Sequence, residues 1–75
     1  MTLDEFVVRF AEEFDETPAN QFKAETVFKG LDEWSSLTAL SIIAMIDEEF
    51  DKSITGADLR SVETIQDLYN LVLAK

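Results

Sequence analysis

Apolar residues recur at helical spacing in several separated stretches of this chain. In the first, Leu3, Phe6, Val7, Phe10, Ala11 and Phe14 share one face, while Asp4, Glu5, Arg9, Glu12 and Glu13 fill the others. Thr2 with Glu5 three residues on is a capping-box pattern, so a first helix is predicted over about residues 3–15. Thr17-Pro18 ends it, because proline disfavours a helical conformation in the residue before it. From Pro18 to Glu33 the period is lost. Phe22, Val27, Phe28 and Leu31 are irregularly placed, which predicts a long loop tacked onto the core, with a turn at Gly30 and Asp32.

Trp34-Ser35-Ser36-Leu37 opens the second periodic stretch. Leu37, Leu40, Ile43, Ala44, Ile46 and Phe50, with Ile42 and Met45 beside them, form a broad apolar stripe that predicts the central helix of a bundle. Ser35 is the expected N-cap and Ser36 the first helical residue. After a turn at Asp51-Lys52-Ser53, Ile54 reads as an apolar plug. Thr55 to Asp58 is a capping box for a short helix over about residues 56–61, with Leu59 and Val62 facing the core. Thr64 to Asp67 opens a last helix over about residues 65–73, with Ile65, Leu68, Tyr69 and Val72 as its buried stripe. The expected fold is all-α, a four-helix bundle with a long first loop and a short third helix, in one domain over residues 1–75. A chain of this size buries only about 60% of its unfolded surface, so the core is small.

Composition narrows the function. The 47% hydrophobic content argues against disorder even at a net charge of −10. Six basic residues against sixteen acidic ones argue against binding a phosphate backbone, and favour attraction to basic partner surfaces. The chain has no cysteine and no histidine, which removes the usual general base, thiolate nucleophile, transition-metal ligands and catalytic triads. It therefore reads as a non-enzyme. No apolar run approaches membrane-spanning length, and Met-Thr-Leu-Asp-Glu lacks a basic signal region, so the expectation is a cytoplasmic monomer without membrane insertion.

The candidate chemistry lies at the start of the central helix. A serine there sits beside unsatisfied N–H donors at the positive end of the helix dipole, where an attached phosphate ester is stabilised. Ser36-Leu37, the long apolar helix, Asp47-Glu48-Glu49-Phe50-Asp51 and then Ile54 together resemble the acyl and peptidyl carrier proteins. The resemblance covers Ser35 to about Val72, and more loosely extends back to Leu3. It implies the acyl-carrier type of four-helix bundle and 4′-phosphopantetheine on Ser36, installed from coenzyme A by a phosphopantetheinyl transferase. It also implies thioester-bound intermediates presented to acyl-loading and acyl-processing enzymes that have basic docking patches. Fatty acid, polyketide and nonribosomal peptide biosynthesis are all compatible with it.

The implied partner-binding residues are Trp34, Ser35, Leu37, Thr38, Asp47 and Glu48. Ser35 replaces the family's usual aspartate, Thr38 and Ser41 stand where many fatty-acid carriers are acidic, and Leu31 to Ser36 is one residue longer than the common pattern. These departures point to a divergent carrier with its own partners. They leave Ser35 as an alternative attachment hydroxyl.

Other readings compete. Trp34 either meets the arm or a partner, or covers the apolar end of the bundle. Asp47 to Glu49 are acidic at a helix C-terminus, which opposes the dipole and so favours a binding role. Asp51 to Gly56 faintly echoes a calcium loop, but Val62 stands where a bidentate glutamate is needed. The alternative function is a non-loaded acidic helical module for protein interaction.

Overall fold

Threonine caps open three of the four helices. In the computed structural model, which describes Met1–Lys75, the helices are α1 (Leu3–Glu12), α2 (Ser36–Phe50), α3 (Gly56–Ser61) and α4 (Ile65–Ala74). Thr2, Thr55 and Thr64 each accept from the backbone N–H three residues on, and Glu5, Asp58 and Asp67 accept in return from the capping residue's N–H. These reciprocal boxes satisfy donors that a helix start otherwise leaves unpaired. No helix is long and apolar enough to cross a membrane. The chain is all-α, as its periodicity predicts, with Val27–Thr64 an isolated antiparallel bridge.

Helix α1 stops at Glu12, short of the predicted residue 15. Its end is set from elsewhere in the chain. The N–H groups of Asp15, Glu16 and Thr17 all turn to the carboxylate of Glu33. In a longer α1 they would have donated to carbonyls four residues back. Phe14 remains buried because the chain winds tightly there, its N–H bonding Ala11 O at 3.0 Å.

The connection from α1 to α2 contains two 3-10 turns, Ala19–Gln21 and Phe28–Gly30. Phe22 and Phe28 from this loop are buried and Leu31 is half-buried, which is the tacking predicted for them, whereas Val27 is 55% exposed and takes no part in it. Backbone bonds Ile65 N→Thr26 O and Gln66 N→Ala24 O fix the loop to the start of α4.

The core is largely aromatic. Phe10 contacts Phe6, Phe14, Phe22 and Phe28, with centroids 5.2–6.3 Å apart. Phe6 adds Phe50 and Tyr69 at the other end. Ile42, Met45 and Ile46 of α2, Leu59 and Val62, and Ile65, Leu68 and Val72 of α4 complete it. Ile54 is also buried, and Tyr69 is half-buried with its hydroxyl donating to Met1 O at 2.8 Å.

The stripe predicted for α2 needs one correction. Leu37 and Leu40 are 76% and 63% exposed and Ala44 is exposed too, so of the predicted stripe Ile46 is buried, together with the flanking Ile42 and Met45. With apolar residues on every side of this helix, periodicity alone does not select the core face.

Candidate functional site

Helix α2 begins at Ser36 because Ser35 caps it. Ser35 is extended (φ −153°, ψ 176°), and its Oγ accepts from Thr38 N at 3.3 Å. The Thr38 hydroxyl donates to Glu33 O at 3.0 Å. Ser35 Oγ and Thr38 Oγ1 are 3.2 Å apart, and threonine has a single hydroxyl proton, already given to Glu33, so Ser35 is the donor between them. Ser35 therefore accepts one bond and gives one. Ser36 is exposed, and its hydroxyl enters no hydrogen bond within the chain. The two adjacent hydroxyls thus differ in structure as the expected cap assignment implies: Ser35 is spent on the cap and Ser36 is free.

Glu33 anchors the segment before the serine. Its carboxylate accepts from the N–H groups of Asp15 (2.8 Å), Glu16 (3.1 Å) and Thr17 (2.8 Å), and from the Thr17 hydroxyl (2.7 Å). The Thr17 hydroxyl, followed by these backbone donors, holds the Glu33 carboxyl below its ordinary range. Sequence reasoning missed this role, because the partners lie 16 to 18 residues away on a loop without periodicity.

Trp34 is half-buried, its ring 5.0 Å from Phe28 and 6.4 Å from Phe14. It caps the aromatic core and also lines a cleft of about 390 Å³ beside Ser36. The cleft's other walls are Ser35 and Ala39 at the start of α2, Lys29 from the loop, and Gly56, Leu59 and Arg60 of α3.

The remaining predicted partner residues divide between two settings. Leu37, Ser35, Asp47 and Glu48 are exposed. Leu37, Leu40, Ala44 and Asp47–Glu48 form one solvent-facing stripe, apolar near Ser36 and acidic at the far end. Thr38 is half-buried and held by Glu33. Of the acidic cluster, Glu49 is engaged, accepting from Arg9 Nε at 2.6 Å. Asp47 and Glu48 make no ion pair.

A free primary hydroxyl on the first turn of a helix, beside a cleft with two cationic walls and an apolar one, suits the attachment of a phosphate-linked group. Comparison with protein-family models, with curated proteins and with solved structures gives no match to this chain.

Proposed function

We propose that the protein is a carrier of the acyl or peptidyl type, bearing 4′-phosphopantetheine on Ser36. The observation that carries this reading is the contrast at the α2 start. Ser35 is consumed in capping, while Ser36 is exposed, unbonded and open to the cleft against α3. The motif resemblance and the order of elements support it further.

In loading, Ser36 Oγ forms a bond to phosphorus as the pyrophosphate bond of coenzyme A breaks. Adenosine 3′,5′-bisphosphate leaves, and the serine proton is released. A separate transferase runs this step, which agrees with the absence of histidine and cysteine here. When bound, the arm supplies the thiol that holds an acyl group as a thioester. The stripe from Leu37 to Glu48 suits docking: an exposed apolar contact beside the modified serine, then acidic charge for basic partner residues.

Intact-protein mass spectrometry after incubation with coenzyme A, magnesium and a broad-specificity phosphopantetheinyl transferase tests the proposal. The expected result is a gain of one phosphopantetheine, mapped to Ser36 and lost in Ser36→Ala. No gain, with a known carrier modified in the same tube, would overturn loading by such a transferase. The non-loaded acidic interaction module, consistent with Ser35 in place of an acidic residue, would then be the better reading.

A further inference from the structure

The cationic side chains are unevenly committed. Arg9 pairs with Glu12 and Glu49, and Lys75 pairs with Asp58. Lys52 Nζ donates to Val72 O and Lys75 O at the end of α4. Lys23, Lys29 and Arg60 belong to no ion pair, and of these Lys29 and Arg60 line the same cleft as Ser36. They are the cleft's only ionisable lining residues. In a chain of sixteen acidic residues, this leaves an un-neutralised concentration of positive charge beside the free serine.

Both cations reach the cleft along α3. Lys29 Nζ donates to Arg60 O at 3.0 Å, holding the ammonium against the end of α3. A Cβ built on Gly56 would stand 3.4 Å from Arg60 Nη1, so the guanidinium folds back along α3 toward Gly56. Lysine retains two further donors in this arrangement, and the guanidinium makes no side-chain bond of its own to protein. Leu59, Trp34 and Ala39 provide the apolar part of the same cleft's lining.

We propose that Lys29 and Arg60 form a phosphate site serving Ser36. They neutralise a phosphate esterified to its hydroxyl and direct the rest of the attached group along α3, over Leu59 and away from the exposed Leu37 stripe. This deepens the carrier reading and rests on it for the identity of the group. The chemistry recognised is a phosphoester oxygen, for which an arginine fork and a lysine ammonium are suited. The consequence is a division of labour around the serine. One side of α2 holds the phosphate, and its outer side stays free for a protein partner.

The test avoids dependence on any transferase. Phosphoserine is incorporated genetically at position 36, and its second ionisation is followed by phosphorus NMR at low salt. The comparison is with the same protein carrying Lys29→Met and Arg60→Met, which keep the apolar stems. The phosphate is expected to ionise at a pH at least about half a unit lower in the protein with both cations. The difference should shrink as salt is raised.

Arg60→Met alone, at an exposed position, gives part of the shift and guards against loss of fold in the double variant. Equal ionisation in all three folded proteins overturns the phosphate site, whatever the outcome of coenzyme A loading. A shift accompanied by no loading would retain the site and reject only the carrier reading.

Discussion

Thr17 donates both its backbone N–H and its hydroxyl to Glu33 Oε1, at 2.8 and 2.7 Å. This joins the two ends of the long loop and, through Glu33 O and Thr38, continues into the first turn of α2. The position of Ser36 therefore depends on a carboxylate three residues before it. Glu33→Ala is expected to lower Tm by several degrees and to slow loading of Ser36 by a transferase. Glu33→Gln, which keeps one acceptor oxygen, should do less of both. Thermal unfolding alongside a loading time course checks this; an unchanged Tm in Glu33→Ala would show that the anchor is dispensable.

The same carboxylate predicts an acid limit. Glu33, Asp58, Asp67 and Glu5 are all held below their ordinary ranges, by Thr17, by Lys75, by the Thr64 backbone and by the Thr2 backbone respectively. A carboxyl with a lowered folded-state value binds protons more readily when unfolded. Its contribution is thus present above the unfolded value of about 4 and is lost as pH falls through the folded value. Urea midpoints are expected to be nearly flat from pH 7 to 5, then to drop below about pH 4. Glu33→Gln should flatten part of that drop. Stability that rises steadily below pH 4 would contradict the assignment.

Phe10 and Leu37 are expected to respond oppositely to truncation. Phe10 is fully buried among four other phenylalanine rings, so Phe10→Ala should cost about 3–5 kcal/mol, enough to unfold much of a small domain. Leu37→Ala should stay within about 0.5 kcal/mol of the parent, because the side chain is 76% exposed. Its effect belongs on partner docking, read as slower loading or weaker binding. Denaturant titration separates the two, and a large stability loss in Leu37→Ala would place that residue in the core.

How much of this was legible beforehand varies by element. The capping boxes at Thr2, Thr55 and Thr64 are local patterns, and the short third helix begins and ends where they predict. Ser35 as cap and Ser36 as first helical residue were legible for the same reason. The end of α1 was not, since it is set by Glu33 across the loop. Nor was the buried face of α2, where leucines near Ser36 remain in solvent while Ile42 and Ile46 pack. The bond from the Lys29 ammonium to the Arg60 carbonyl joins a loop residue to a helix 31 positions later, beyond any spacing rule.

The exit from α2 offers a stabilising substitution. Asp51 has left-handed backbone (φ 54°, ψ 41°), with its N–H bonded to Asp47 O at 3.0 Å. That conformation disfavours a residue with a Cβ, and a carboxylate there opposes the negative end of the helix dipole. Asp51→Gly removes both costs, offset partly by the greater freedom of glycine when unfolded. A gain of about 0.5–1 kcal/mol in unfolding free energy is expected. Destabilisation instead would mean that the aspartate side chain contributes more to the turn than its backbone strain costs.

Salt should stabilise the fold, by a balance that can be argued from size. The molecule extends 29 × 24 × 20 Å, comparable to the Debye length of about 30 Å at 0.01 M and well above the roughly 8 Å at 0.15 M. At low salt nearly every pair of the sixteen acidic residues therefore repels; at physiological salt only near neighbours do. Screening also weakens the attractive pairs, but these involve only Arg9 and Lys75 and lie at or near the surface, where such pairs contribute little. Repulsion is the larger quantity, so Tm is expected to rise by several degrees across that range. Replacing the unpaired Asp47 and Glu48 by lysine should raise Tm at low salt and reduce its salt dependence, while weakening binding to a basic partner. A Tm that falls with added salt would show that the ion pairs of Arg9 and Lys75 outweigh the net charge.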